Sequence, residues 1–201
     1  MLISHSDWQP LPLDTLRKGF RDSPFNWCLG GGYAVEMFVG HVFRSHSDID
    51  VVIFRDQQLA VQSHLENWQL YAADPPGHLR RWNRGEFLPE GIHDIWGHRQ
   101  GVNQWELQLM VQEVSGGRWY YRRDRRVSGD VAEFVEEYEG WPCIKIELQL
   151  LYKSKGLRPK DEDDFQRCLP LLDQGRKQRL SSHLSMVYPD GHPWLTKLRQ
   201  T

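Results

Sequence analysis

Leu29-Gly30-Gly31-Gly32-Tyr33-Ala34, followed after a short segment by Arg44-Ser45-His46-Ser47-Asp48-Ile49-Asp50-Val51-Val52-Ile53, is the stretch on which the reading of this chain turns. In the second run Ile49, Val51 and Ile53 alternate with Asp48 and Asp50, so a strand sends the apolar trio to one face and both carboxylates to the other. Two adjacent carboxylates repel each other and are costly to desolvate unless a cation sits between them. Mg²⁺ suits such a pair, because it takes one or two carboxylates and fills its other positions with waters and phosphate oxygens. The glycines complement the acids. Without a Cβ at three successive positions the backbone turns tightly and admits a ligand, and the N–H groups opening the next helix, about 33–39, face anionic oxygens. Gly40 then ends that helix as its C′ residue.

Neither half is specific alone, since three glycines often make only a tight turn and Asp-x-Asp often ends a strand in solvent. In the order strand, glycine turn, helix, loop, strand they predict a phosphate cradle facing a metal-holding pair. The run 27–53 resembles the catalytic signature of the nucleotidyltransferases that inactivate antibiotics, the aminoglycoside 2″-adenylyltransferase and lincosamide adenylyltransferase group of the polymerase-β-like superfamily. There a Gly-Gly-Gly, aromatic, Ala turn precedes an Arg-x-His-x-Asp-hydrophobic-Asp strand, as Gly30 to Asp50 do here. The similarity covers roughly 14–114. It implies an α+β nucleotidyltransferase fold, a mixed sheet flanked by helices, with a helical C-terminal part.

The same resemblance asks for a third carboxylate on a later strand. In Gln104-Trp105-Glu106-Leu107-Gln108-Leu109-Met110-Val111, Trp105, Leu107, Leu109 and Val111 share one face and leave Glu106 and Gln108 on the other. Glu106 is matched to the third position, to hold a second metal or take the acceptor's proton, although relatives more often carry Asp there. Asp94, in Ile92-His93-Asp94-Ile95-Trp96, is the competitor and reads as a cross-strand or turn carboxylate. The expected catalytic and metal-holding set is therefore Asp48, Asp50 and Glu106. Gly30, Gly31 and Gly32 are expected to cradle the triphosphate, with Arg44, His46 and Lys153 as its further contacts. Lys155 and Glu147 read as solvated helix positions. Residues 160–164, one lysine and four acids after Pro159, read most simply as a helix start, with a role toward substrate as the alternative.

The activity implied is Mg²⁺-dependent transfer of AMP from ATP to a hydroxyl of a small molecule, with aminoglycoside and lincosamide antibiotics as candidate acceptors. Two regions are candidates for choosing the acceptor: the long loop containing His78-Leu79-Arg80-Arg81-Trp82-Asn83-Arg84, and the acidic set Glu133, Glu136, Glu137 and Glu139, suited to a polycation. Small proteins of this fold also serve as antitoxins, so the alternative is a protein that binds or adenylylates a partner protein.

Composition agrees. The 201 residues suffice for a catalytic domain over 1–130 and a helical part over 131–201, and a net charge of −2 argues against a general nucleic-acid binder. Cys28, Cys143 and Cys168 have neither disulfide-framework nor zinc-site spacing. No apolar run approaches a membrane span and the first residues lack a signal-peptide pattern, so a cytoplasmic protein is expected. Beyond the two motif strands, the patterns predict helices over 14–21 and 56–67, strands over 68–71 and 118–123, and a hairpin of 92–98 with 104–114. From about 131 onward they predict helices, over 144–156, from Pro159 and over 175–187, with an irregular tail at 189–194.

Overall fold

Val51, Val52, Ile53 and Phe54 are all buried, a continuous apolar run that marks a central strand covered on both faces. In the computed structural model, which describes residues 3–200, these residues belong to a mixed sheet with helices packed around it. The first elements are α1 (Leu13–Phe20), β1 (Trp27–Leu29), α2 (Gly31–Val39), β2 (Asp50–Phe54), α3 (Gln58–His64), β3 (Trp68–Ala73) and β4 (Leu79–Arg81). The chain continues through β5 (Asp94–Arg99), β6 (Leu107–Ser115), β7 (Arg118–Tyr120), β8 (Ser128–Asp130), β9 (Val135–Tyr138) and β10 (Trp141–Ile144). It closes with α4 (Ile146–Lys153), α5 (Pro159–Cys168), α6 (Gln174–Val187) and α7 (Pro193–Gln200).

The strand order is β4-β3-β5-β6-β2-β1-β10-β9, with β7 and β8 extending from β6. β2 runs parallel to β6 and antiparallel to β1, while β1 runs parallel to β10. This order puts the glycine turn, which follows β1, directly beside the start of β2. Gly40 closes α2 in the left-handed conformation at φ 84° and donates its N–H to the Glu36 carbonyl, the C-terminal stop its sequence position predicts.

Three elements differ from the sequence patterns. The region after residue 131 does not turn helical at once: β9 and β10 pair across Glu139 and Gly140, whose φ values of 51° and 71° make a two-residue hairpin turn. Apart from one 3-10 turn at Val131–Glu133, the helices begin only at Ile146, so the sheet extends beyond residue 130. The 74–91 segment contains β4, which pairs with β3, and the tail after Pro189 contains α7. α7 is held by tertiary packing, with Trp194 fully buried and its ring stacked on Phe165 at 4.1 Å between centroids.

The C-terminal helices lie against the N-terminal half. α4 packs on α2, α5 and α6, and α5 also reaches α2. Their inward side chains thereby face the glycine turn.

Candidate active site

Asp50 opens β2, and its carbonyl accepts a hydrogen bond from the Gly30 N–H at 2.9 Å, which draws the glycine turn onto the strand end. Gly31 has φ +62°, and a Cβ built there would lie 1.9 Å from Asp50 Oδ2. Only glycine allows both that conformation and that approach. Gly32 meets a second constraint, because its Cβ would fall 2.2 Å from Arg44 Nη2 and 2.4 Å from His46 Cε1. Gly30 sits behind them, its hypothetical Cβ 3.1 Å from Val52. The triplet thus lets one carboxylate, one guanidinium and one imidazole crowd against the start of α2. Its Gly31 N–H is taken by a side chain, donating to Gln149 Oε1 of α4 at 2.9 Å.

Asp48 and Asp50 line a cleft of about 860 Å³ together with Gly31, Gly32, Arg44, His46 and Lys153. Seven of the nine expected site residues therefore meet at one opening, with Gly30 supporting the turn from behind and Glu106 absent. The Asp50 carboxyl is pushed up to about 7, first by burial and then by the neighbouring Asp48 charge, with Lys153 opposing and Asp94 adding to the rise. A bound cation between the two aspartates would relieve this penalty. Among the described residues no group of three or more His, Cys, Asp or Glu converges on one metal position. The pair still fits Mg²⁺, which needs only one or two protein carboxylates when phosphate oxygens and water complete its shell.

Glu106 does not reach this group. Parallel pairing of β2 with β6 sets Asp50 opposite Gln108, so Glu106 lies one pleat repeat back along the strand. There Arg99 captures it: the Arg99 backbone N–H donates to Glu106 Oε2 at 2.8 Å and the guanidinium donates to both carboxylate oxygens. Asp94, by contrast, does line the cleft. Antiparallel pairing of β5 with β6 sets it opposite Met110, and it lines the cleft with Gln108 and Met110. Gln108 Nε2 donates to Asp94 Oδ1 at 3.3 Å, and Arg122 Nη1 lies 3.6 Å from Asp94 Oδ2. Asp94 thus stands across from β6 with its side chain at the cleft.

The cationic wall is fixed by a buried charge network. Arg44 donates through Nε and Nη2 to the two carboxylate oxygens of Asp164 at 3.3 and 3.2 Å, and Lys153 Nζ lies 2.7 Å from the same Asp164. Asp161 lies 3.6 Å from Lys153 and receives the Arg158 guanidinium at 2.6 Å. Its carboxyl is held below the usual range: burial raises it, and Arg158 and Lys153 more than offset that. On the other flank Arg44 Nη1 lies 3.0 Å from His46 Nδ1, His46 Nε2 lies 2.9 Å from Glu36 Oε2, and the His46 ring stacks on Tyr33. Glu36 in turn accepts the Phe43 and Arg44 backbone N–H groups. Buried charges persist only when paired in this way.

Asp161 and Asp164 were not singled out in the sequence, where 160–164 read most simply as a helix start. Their spacing on one face of α5 was the available clue, since residues three apart stack together and Phe165 and Cys168 mark the buried stripe. Gln149, Arg122, Arg123 and Lys160 also line the cleft, and so does Lys155, read as solvated. Glu147 is buried against Arg179, contrary to its expected surface position.

Neither region expected to choose the acceptor reaches the cleft. Glu136 and Glu137 lie on β9, at the far edge of the sheet, with Glu139 in its turn and Glu133 just before it, and Glu136 is paired with Arg176. His78 and Leu79 line a separate aromatic pocket near Tyr71 and Trp105, while Arg80 is tied to Asp74 and Glu86. Cys28, Cys143 and Cys168 are free and buried. Among the described residues no helix is long and apolar enough to cross a membrane.

Comparison with known proteins bears on this arrangement directly. The family model described as aminoglycoside-2″-adenylyltransferase matches residues 13–168. The fold is similar to that of the lincosamide antibiotic adenylyltransferase LnuA solved with lincomycin, at TM-score 0.54 and 18% identity over 80% of this chain and 96% of that one. It is similar also to ANT(2″)-Ia in complex with adenylyl-2″-tobramycin, at TM-score 0.54 and 12% identity over 87% of this chain and 95% of that one. No curated protein sequence matches the chain.

Proposed function

This chain belongs to the aminoglycoside-2″-adenylyltransferase family, and from that premise we propose that it transfers AMP from ATP to a hydroxyl of a small molecule, with Mg²⁺ held by Asp48 and Asp50. The observation that carries this reading is the meeting of those two carboxylates with a glycine turn and a cationic wall in a single cleft. A divalent cation there would polarise the α-phosphate and neutralise charge building on the departing pyrophosphate.

The chain's own groups do the rest. Arg44, Lys153, Arg158 and Lys160 bind the triphosphate oxygens and point the α-phosphorus at the acceptor. Asp161 and Asp164 hold those cations in place, so their positions need no reorganisation as charge develops. The acceptor oxygen bonds to the α-phosphorus as the bond to pyrophosphate breaks, and Asp94 accepts the hydroxyl proton. Gln108 and Arg122 keep the Asp94 carboxylate turned toward the cleft. Glu106, already bound by Arg99, acts as a structural ion pair.

The test is incubation with ATP, Mg²⁺ and a panel of hydroxylated acceptors, lincomycin and tobramycin included, followed by mass measurement of AMP adducts. Adducts with wild type and none with Asp50→Asn support the reading. Failure of wild type to bind Mg-ATP would overturn it.

A further inference from the structure

The residues lining the cleft fall into two groups by the elements that carry them. One is the glycine turn with five cationic side chains, Arg44 from the loop before β2 and Lys153, Lys155, Arg158 and Lys160 from the end of α4 to the start of α5. That set is enough for a metal-bound triphosphate. Toward β5 and β6 lies a second wall, formed by Asp94, Gln108, Met110, Arg122, Arg123 and Tyr152.

The second wall carries one acid and two guanidinium groups. Both oxygens of the acid already face donors, Oδ1 Gln108 at 3.3 Å and Oδ2 Arg122 at 3.6 Å, so the single negative charge of this wall is outnumbered by two guanidinium groups. Arg123 uses Nη1 on the Tyr121 hydroxyl at 2.8 Å and the Tyr152 carbonyl at 2.9 Å, which fixes the guanidinium and leaves its other N–H donors available. Tyr152 spends its hydroxyl on Gln112 and presents an apolar ring edge. The acids suited to a polycation are at the opposite end of the sheet, on and around β9. A polyamine acceptor on this wall would face like charge at close range, whereas an anion would meet fixed donors.

We propose that the acceptor is a hydroxyl compound bearing an anionic group, a phosphate or a carboxylate, which Arg122 and Arg123 hold beside Asp94, and that the site rejects polycationic aminoglycosides. This assignment rests on the nucleotidyltransferase reading and narrows its substrate class. Transfer to such an acceptor would follow the same chemistry, with the hydroxyl proton passing to Asp94 and pyrophosphate leaving.

The experiment is calorimetry on the full chain loaded with Mg²⁺ and α,β-methylene-ATP, which cannot transfer its AMP group. Glucose 6-phosphate and glucuronate serve as anionic probes and separate phosphate from carboxylate, methyl glucoside is the neutral probe, and tobramycin is the polycation. At least one anionic sugar should bind about tenfold or more tighter than methyl glucoside, with tobramycin no tighter than the neutral sugar. Arg122→Glu should erase that preference, and Arg123→Glu, at an exposed position, provides a second charge reversal if the first variant unfolds. Tighter binding of tobramycin, a preference that survives charge reversal, or binding of none of the probes would overturn the acceptor assignment while leaving the nucleotide site standing. Failure of the ATP analogue itself to bind would instead remove the reading on which the assignment rests.

Discussion

Asp50 pairs in parallel register with Gln108, two residues beyond Glu106. That relationship decides which side chains line the cleft, because a residue one pleat repeat back shares the face but sits about 6–7 Å further along the strand, where Arg99 holds Glu106. It also brings Asp94, on the neighbouring antiparallel strand, to the floor beside Gln108.

Asp94→Asn is therefore expected to lower kcat by about a hundredfold or more while leaving the KM for ATP within a few-fold, since it meets the acceptor and not the triphosphate. Glu106→Gln should leave kcat nearly unchanged and lower thermal stability, because it weakens the ion pair that the buried Glu106 carboxylate makes with the half-exposed Arg99. Steady-state kinetics and a melting curve on both variants check this. The reverse pattern would return the proton-accepting role to Glu106.

Gly31→Ala should cost activity through Asp50. The added Cβ would meet the Asp50 carboxylate at 1.9 Å and must also adopt a positive φ, a conformation that costs a non-glycine residue about 1–2 kcal/mol. A folded variant with turnover reduced by about a hundredfold and weakened Mg²⁺ binding is the expected outcome. Unchanged Mg²⁺ affinity, read by calorimetry, would refute the link between the turn and the carboxylate.

Asp50→Asn should stabilise the metal-free protein at alkaline pH. The folded-state carboxyl is raised from 3.8 to about 7, so the unfolded chain ionises first and wild type loses stability as pH climbs from about 4 through 7. Asparagine removes that loss. Melting curves without Mg²⁺ should coincide near pH 4 and separate by several degrees at pH 8, with the variant higher. Added Mg²⁺ should raise the wild-type melting temperature and not that of the variant.

Asp164→Asn should raise the KM for ATP more than it lowers kcat. The fully buried Asp164 touches no cleft opening itself and instead fixes Arg44 and Lys153. A loss of about tenfold in ATP affinity is expected. A drop in kcat alone, with ATP affinity intact, would contradict its positioning role.

Glu162 should make α7 sensitive to acid. Burial raises its carboxyl, but hydrogen bonds from Lys197, Gln166 and Trp194 outweigh it and bring it down to about 2. A depressed carboxyl contributes stability above its unfolded value near 4.5, and that contribution fades as pH falls from there toward 2. Glu162→Gln should lower the melting temperature at pH 7 and flatten its decline below pH 4.5. Parallel acid limbs in the two proteins would show that Glu162 does not anchor the helix.

By itself the sequence determined the parts whose chemistry is local. Three glycines, a basic loop and Asp48-Ile49-Asp50 carry their turn, helix start and strand alternation within some twenty-five residues, so the nucleotidyltransferase fold and six residues that line one cleft, Gly31, Gly32, Arg44, His46, Asp48 and Asp50, were legible there. The tertiary structure decided everything that depended on register or on elements distant in the chain. Whether Glu106 or Asp94 stands near Asp50 is set by the pairing of β6 with β2 and β5, and alternation cannot distinguish positions two residues apart on the same face. Asp164 meets Arg44 across 120 residues, and Gln149 meets Gly31 across 118, contacts that exist only once α4 and α5 fold onto α2. The acidic residues around β9 looked suited to a polycation in the sequence. The strand order carries them to an edge of the sheet, and none of them lines the cleft.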